Sequence, residues 1–242
     1  IQKAGTLETA HRVKGILTGT FDYAIAKGKA KFNPSSALRK ILITPPERNY
    51  AAPTTAKDIG RLLAQVWDYP GSFTVQTAIR IGAYLFVRPG ELRHMRWSEI
   101  EGSIWTRKVS KVKGELMTPL PSQVVELLEA IRPLTGHGEF VFPNARSPKA
   151  DRPMSEVAVL AAFRRMGITG NELVGHSWRA AARTVCDEVL LFRPDVIEQA
   201  LGHRVKDAMG RAYNRTTHLD ERTRLANEWA DWIDAQRRSL TP

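Results

Sequence analysis

The sequence of 242 residues has almost no cysteine and no long apolar run, and each absence excludes a class of protein. The single cysteine, Cys186, excludes an internal disulfide framework and a cluster of zinc-bound thiolates. The most apolar window, 78–87, has ten residues and already contains Arg80, whereas a membrane span needs about 20. The start of the chain also lacks the pattern of a signal peptide. We therefore expect no membrane segment and a reducing, cytoplasmic setting.

Common motifs for cofactors and catalysis are missing as well. The sequence contains no Gly-x-x-x-x-Gly-Lys-Ser/Thr loop, no Gly-x-Gly-x-x-Gly after a strand pattern and no Gly-x-Ser-x-Gly. It also lacks His-Glu-x-x-His and Cys-x-x-Cys, so we expect no metal site built by the protein and no cofactor. Any catalysis is expected to depend on cations, imidazoles and a hydroxyl.

What the sequence has in excess is positive charge. Lys and Arg number 36 against 25 Asp and Glu, which gives a formal net charge of +11. Residues 1–50 carry nine basic and three acidic side chains, a net of +6, and the remaining 192 residues carry 27 and 22, a net of +5. This excess favours a polyanionic partner. A soluble protein with a merely basic surface is the alternative that charge leaves open.

Apolar residues recur at helical spacing through most of the chain, which predicts a mainly α-helical fold. The pattern changes over residues 103–120, where Lys113-Gly114 separates two apolar stretches and predicts a small hairpin or three-stranded sheet. We therefore expect a mainly α protein with a small antiparallel β-sheet. The predicted helices cover residues 7–27, 35–41, 55–66, 73–86, 91–97, 122–131, 155–166, 178–191, 194–201, 206–213 and 220–236.

Five short stretches carry side chains suited to phosphate chemistry. Arg88 lies at a predicted helix break, with Glu91 placed to orient it, and His176 and Arg179 share one side of a helix start. The other candidates are His203 after a helix-ending glycine, Tyr213 between two arginines, and Lys111 beside the hairpin turn. Taken singly, each fits an ordinary surface residue.

Taken together, these residue types are able to cleave a phosphodiester without a metal. Two arginines suit the bidentate binding of a phosphate, and histidines transfer protons near neutral pH. Tyrosine forms covalent intermediates, and a lysine is able to protonate a departing alkoxide. The arginines would stabilise the transition state in place of a metal ion.

The order Arg88, Lys111, His176-x-x-Arg179, His203, Tyr213 resembles that of the tyrosine recombinases, or phage-type integrases. The resemblance is greatest to the prophage and genomic-island branch. Two positions depart from that branch: Gly175 stands where threonine often precedes the histidine, and Leu116 where a strand histidine is frequent. The stretches that carry the resemblance are Arg88-Pro-Gly-Glu-Leu-Arg-x-x-x-Trp97-Ser-Glu-Ile, Met154-Ser155-Glu156, Arg211-Ala-Tyr-Asn-Arg-Thr216 and Trp229-Ala-Asp-Trp232.

The resemblance implies two domains that clamp duplex DNA. Residues 1–48 are similar to the C-terminal part of the helical core-binding domain, residues 49–53 to the linker, and residues 54–242 to the catalytic domain with its tail helix. The proline-rich stretch 44–54 has no periodicity, which agrees with a linker. Because the chain begins with Ile1, we expect it to be a fragment that lacks the arm-binding region and the first core-binding helices.

The resemblance also implies a role for each catalytic candidate. Tyr213 attacks the scissile phosphate and forms a 3′-phosphotyrosyl link, while Arg88 and Arg179 hold the non-bridging oxygens. Lys111 is implied as the general acid for the leaving 5′-oxygen, with Lys108 and Lys113 as its neighbours. The two remaining roles fall to histidines, His176 as candidate base for the tyrosine proton and His203 as a hydrogen-bond partner of the phosphate.

The implied function is site-specific recombination that integrates or excises a mobile element in a bacterial host, in association with the nucleoid. The expected partners are double-stranded DNA at attachment sites, three further copies in a homotetramer, and accessory DNA-bending proteins. An apolar face in the tail suggests assembly through that tail, and packing on its own domain is the alternative; its residues are Leu225, Trp229, Trp232 and Ile233. A type IB topoisomerase and a non-catalytic DNA-binding regulator stay open as functions.

Overall fold

The computed structural model describes residues 1–46, 52–53, 55–108, 114–147, 149–203 and 218–239. Over these residues the chain is mainly helical, with one three-stranded antiparallel sheet, which confirms the predicted fold class. The chain divides into two units, Ile1–Asn49 and Tyr50–Pro242. Each unit is built differently and is described by itself.

The first unit consists of one long helix, a 3-10 turn and one short helix. Helix α1 (Leu7–Ala26) ends before Gly28, whose φ of +68° suits glycine. Asn33 caps the turn Pro34–Ala37 by accepting the Ser35 N–H at 2.9 Å, and α2 (Leu38–Ile41) follows. Among the described residues of this unit, Ala10 and Ser35 alone are buried. Most of its apolar side chains therefore lie at the surface.

The second unit packs its helices around a central buried one. The helices are α3 (Ala56–Trp67), α4 (Phe73–Leu85), α5 (Pro89–Arg93), α6 (Ser122–Thr135), α7 (Ala158–Arg165), α8 (Ser177–Glu188), α9 (Pro194–Ala200) and α10 (Leu219–Arg238). Thr55 accepts the Asp58 N–H at 3.1 Å and so caps the start of α3. Helix α4 contacts α3, α6, α7 and α10 and is buried along most of its length, as suits a helix that is apolar nearly all round.

The sheet consists of β1 (Ile100–Glu101), β2 (Ile104–Lys108) and β3 (Glu115–Pro119) in that order. Trp105 pairs with Thr118, and both side chains are buried. The sequence did not decide between a hairpin and a three-stranded sheet, and the structure contains the three-stranded sheet. The segment with Lys111 lies outside the described residues.

A helix break was predicted at Pro89-Gly90, and a break is found, but it lies just before these two residues. Proline at the first helical position needs no hydrogen-bond acceptor and has a helical φ, so Pro89 begins α5 instead. The break lies before it, at Phe86, where φ is +38°. The helix predicted over 91–97 ends at Arg93, and a 3-10 turn follows at Trp97–Glu99. The helix predicted over 206–213 lies outside the described residues.

The tail helix α10 packs on its own unit. Leu225, Trp229 and Ile233 are at most 1% exposed, and the Trp229 Nε1–H donates to the Ala83 carbonyl at 3.1 Å. The expectation that this face docks on a neighbouring copy is therefore wrong for these residues, because burial in cis leaves them nothing to offer a partner. The alternative of packing on the same domain is what the structure shows.

Cys186 lies on the inner side of α8 and is 1% exposed. Burial raises the pKa of its thiol to about 12. Within the described part of the chain, no helix combines the length and apolar character that a membrane crossing requires. The same part contains no group of three or more His, Cys, Asp or Glu side chains able to hold a metal ion.

Candidate active site

Arg88 is placed by the sharp break between α4 and α5. It is the extended residue before α5, and its backbone N–H donates to the Glu91 carboxylate at 3.3 Å. Its Nη1 donates to Glu91 Oε1 at 2.8 Å, so the predicted orientation of Arg88 by Glu91 is confirmed. The Arg88 side chain keeps 20% exposure. Its guanidinium is therefore fixed from one side and accessible from the other.

Glu91 also binds a second arginine, Arg107 of β2, which the sequence analysis did not identify. Arg107 Nη2 donates to Glu91 Oε2 at 3.1 Å, and Nη1 donates to the Thr118 hydroxyl. The guanidinium also lies over the Trp105 ring, 4.2 Å from its centroid. Although burial raises the pKa of Glu91, Arg107 and Arg88 outweigh it and hold this pKa below its ordinary value. The Glu91 carboxylate thus links Arg88 to β2, the strand that precedes the segment with Lys111.

Arg179 lies one turn into α8 and is 9% exposed. Its Nη1 donates to the Phe86 carbonyl at 3.0 Å and its Nη2 to the Leu201 carbonyl at 2.9 Å. Phe86, at the break after α4, and Leu201, at the end of α9, therefore both supply carbonyl acceptors to Arg179. Burial, with Arg88 nearby, lowers the pKa of Arg179 to about 10.

His203 follows α9 and contacts Arg179 directly. Arg179 Nη2 lies 3.1 Å from His203 Nε2, and His203 Nδ1 lies 2.6 Å from Glu198 Oε2. The other oxygen of Glu198 accepts from Arg183 Nε at 2.9 Å, and Arg183 also binds Asp187 at 2.7 Å. His203 is thus held by a chain of hydrogen bonds from α8 and α9.

Two glycines allow the elements of the site to approach closely. Gly202 has a φ of +67°, and a Cβ on it would lie 3.1 Å from Leu116 and 3.8 Å from Arg88 Nη1. A Cβ on Gly175 would lie 2.6 Å from the Pro89 ring. Glycine at position 175, where threonine was expected from the family resemblance, thus allows the start of α8 to pack tightly on α5.

His176 is the residue before α8 and is exposed. The next residue, Ser177, is buried and its hydroxyl accepts the Val174 N–H at 2.7 Å. His176 therefore precedes Arg179 by one turn at the open end of the helix.

Of the six predicted catalytic residues, the structure brings Arg88, Arg179 and His203 together, with His176 one helical turn from Arg179. Lys111 and Tyr213 lie outside the described residues. The sequence analysis missed Arg107 and Glu198. The spacing of Glu198 and His203, five residues across a helix end, is the one signal that could have indicated their contact.

The arrangement has an excess of positive charge in a partly buried place. Arg88 and Arg107 lie close enough to Arg179 to help lower its pKa, and Glu91 is shared by Arg88 and Arg107. Such preorganised donors stabilise negative charge at low cost in reorganisation. The described part of the site is therefore suited to an oxyanion such as a phosphodiester.

Comparison with known families and proteins gives matches along the whole chain. The family model described as "Phage integrase family" matches residues 53–219, and "Phage integrase central domain" matches residues 1–41. The integrase of Enterobacteria phage P4 is 31% identical, covering 98% of this chain and 57% of that protein. The prophage integrase IntA of Escherichia coli K12 is 32% identical, covering 97% and 57%. The chain thus spans less than two thirds of the length of these relatives.

Solved structures share the fold at low sequence identity. A lambda integrase dimer bound to a COC′ core site has a TM-score of 0.63 and 20% identity, covering 88% of this chain and 77% of that one. A lambda integrase tetramer bound to a Holliday junction has a TM-score of 0.60 and 19% identity, covering 85% and 61%. The family matches, with the likeness first seen in the order of the candidate residues, show that the chain belongs to the phage integrase family of tyrosine recombinases.

Proposed function

We propose that this chain is the part of a site-specific DNA recombinase that cleaves and rejoins duplex DNA through a 3′-phosphotyrosyl intermediate. The observation that carries the proposal is the convergence of Arg88, Arg179 and His203 from three separate elements onto one accessible place. Membership of the phage integrase family supports the same chemistry.

The two arginines suit the two non-bridging oxygens of the scissile phosphate, since each presents donors in a fixed plane. Tyr213 is the proposed nucleophile and Lys111 the proposed general acid for the 5′-oxygen. His176, exposed at the α8 start, is the proposed base for the tyrosine proton. The phosphotyrosyl bond conserves the energy of the broken phosphodiester, so rejoining to the 5′-hydroxyl of a partner duplex needs no cofactor.

The first unit supplies a second DNA contact in this proposal. Residues 1–48 carry positive charge and match the central domain of phage integrases at residues 1–41, which supports a core-binding role. Relatives in fold have been solved as a dimer and a tetramer on DNA, and we propose a tetramer of this protein across two duplexes. The buried face of α10 contributes nothing to that contact, and accessory DNA-bending proteins belong to the same proposal.

A nicked attachment-site duplex tests the activity, because loss of the short downstream strand traps the covalent product. We expect an adduct that resists denaturation with the wild-type chain and none with Tyr213→Phe. An adduct with relaxation of supercoiled DNA but no exchange between duplexes would indicate a topoisomerase. DNA binding without any adduct would indicate a non-catalytic regulator and contradict the proposal.

The general acid is tested by a substrate with sulfur in place of the bridging 5′-oxygen, which leaves without a proton. Lys111→Ala is expected to slow cleavage of the normal substrate by about 10²–10⁴-fold and to be rescued by sulfur. Lys113→Ala is the matched control and should be near wild type on both substrates. A defect and rescue in Lys113→Ala instead would transfer the role to that residue.

A further inference from the structure

The imidazole of His203 has a hydrogen-bond partner on each of its nitrogens. Nε2 lies 3.1 Å from Arg179 Nη2, and Nδ1 lies 2.6 Å from Glu198 Oε2. A guanidinium has donors and no acceptor, so Nε2 must be the acceptor in that contact. A carboxylate accepts, so Nδ1 carries the proton. The free site thus fixes His203 as the neutral tautomer protonated at Nδ1.

This tautomer does not fit the hydrogen bond to a phosphodiester that the family resemblance implies for His203. The phosphate oxygens are acceptors, and the lone pair on Nε2 would face them. Nδ1 is not available to turn towards the phosphate without giving up its 2.6 Å hydrogen bond to Glu198. A second proton on Nε2 resolves the conflict, because both ring nitrogens then donate.

The groups around His203 favour that second proton once the phosphate is present. Glu198 faces the ring from α9, Arg179 faces it from α8, and Arg88 lies beside Gly202 from the α4–α5 break. Although burial raises the pKa of Glu198, hydrogen bonds from His203 and Arg183 outweigh it and keep this pKa below its ordinary value. Glu198 therefore presents a negative charge to the ring.

Resting on the proposed function, we propose that His203 takes up a proton when the scissile phosphate enters, and that Glu198 is the positioning residue that holds the charged ring. The proton comes from solvent and binds Nε2. Arg179 Nη2 turns from the ring to one non-bridging oxygen, and the new Nε2–H donates to the other. No bond of the substrate changes in this step.

The sign of the pH dependence follows from this scheme. The doubly protonated ring is the active form, so the contribution of His203 to cleavage is present at low pH and lost as the pH rises through the midpoint at which Nε2 gives up its proton. Glu198→Gln keeps an oxygen for Nδ1 but removes the negative charge. Because an adjacent opposite charge shifts such an equilibrium by about 1–3 pH units, the midpoint should move down by about 1–2 units.

The experiment measures single-turnover cleavage of the nicked duplex from pH 5.5 to 9. The deficit of Glu198→Gln relative to wild type is expected to grow as the pH rises across this range, to about 10- to 100-fold at its upper end, and to shrink towards its lower end. Asp187→Asn is the matched control, because Asp187 binds Arg183 at 2.7 Å in the same chain of contacts but does not touch the ring. In a His203→Ala background, Glu198→Gln should produce no further shift.

A Glu198→Gln profile with an unchanged midpoint would overturn the inference while leaving the proposed function standing. Absence of any adduct with the wild-type chain would instead count against the proposed function. If Glu198→Gln fails to fold, calorimetry of DNA binding by the wild-type chain in buffers of different ionisation enthalpy decides the matter. Proton uptake that His203→Ala abolishes supports the inference, and a binding heat that is the same in every buffer overturns it.

Discussion

Helices α1 and α10 have the same length of 20 residues and opposite surroundings. Helix α1 buries Ala10 alone and leaves Ile16 and Tyr23 at 69% and 66% exposure. Helix α10 buries six residues, among them Trp229 at 0% exposure. A helix of 20 residues thus presents mostly accessible surface in the first unit and forms part of the core in the second.

The difference separates two kinds of contribution to the proposed function. The first unit offers charge with little buried structure, which suits contact with the phosphate backbone of DNA. The second unit supplies the rigid frame that a site of fixed guanidinium positions requires. Substitutions in the two units should therefore differ in their effects on stability and on DNA binding. Three pairs of variants compare the units, and a fourth compares two carboxylates of the second unit.

Removal of the Trp229 ring is expected to have the largest effect. Trp229→Ala leaves a cavity beside Phe86 and Trp232 and an unpaired Ala83 carbonyl, which should cost about 3–5 kcal/mol in the free energy of unfolding. Ile16→Ala in α1 should change it by less than about 0.5 kcal/mol. Urea unfolding followed by circular dichroism measures both variants. Equal losses of unfolding free energy would contradict the proposed difference between α1 and α10.

The next largest effect is expected at the carboxylate shared by Arg88 and Arg107. Glu91→Gln should cost about 2–3 kcal/mol in unfolding free energy at pH 7, because the buried Arg107 and the partly exposed Arg88 both lose their charged acceptor. Since the pKa of Glu91 is lowered in the folded state, its contribution is present above pH 4.5 and lost as the pH falls further. Urea titrations at pH 7 and pH 4 should show the difference shrinking. The exposed Glu101→Gln serves as control, and an equal loss there would contradict the prediction.

A smaller effect is expected from one hydroxyl in the frame. Tyr84 donates to Asp234 Oδ1 at 2.7 Å and so joins α4 to α10. Tyr84→Phe should cost about 1–2 kcal/mol in unfolding free energy, whereas Tyr23→Phe in α1 should be neutral. Burial and Asp234 also raise the pKa of Tyr84. The number of tyrosines that ionise below pH 11, counted by ultraviolet titration, should therefore be the same in Tyr84→Phe as in the wild type. A smaller number in the variant would contradict the raised pKa of Tyr84.

The smallest effect concerns charge at the ends of the two helices. Lys29 follows α1 and Arg238 ends α10, and both are exposed. If Lys29 contacts a phosphate, Lys29→Gln should weaken DNA binding about fivefold at 0.15 M salt and lower the salt slope by about one. Arg238→Gln should leave the slope unchanged. Fluorescence anisotropy across salt concentrations measures the affinity of both variants. Equal dependence of affinity on salt would contradict a DNA contact made by Lys29.

Local patterns predicted much of this fold. The helix ranges and the change to strands after residue 103 were predicted from local spacing, and the cap at Thr55, the buried α4 and the glycine after α1 likewise reflect side-chain chemistry within a few residues. Pro89 was misjudged because a proline ends one helix and begins another with the same local signal. The choice between these depends on where the preceding helix stops, which packing decides.

The site shows the same limit at longer range. The order of residues was enough to select Arg88, Arg179 and His203 as candidates, and the structure brings them together. Arg107 was missed because its acceptor, Glu91, lies 16 residues earlier and on a different element. Likewise, the apolar face of α10 is visible in the sequence, but the sequence does not say which surface covers it.

Cys186 gives the chain a built-in reporter of opening at α8, the helix that carries Arg179. A thiol with a pKa of about 12 and 1% exposure reacts with an alkylating reagent only after the helix separates from the core. Its rate of modification therefore measures how often that separation occurs. Because it is the single cysteine, a mass change of one adduct identifies the site without mapping. Slower modification with DNA than without it would show that the ligand tightens the helix itself.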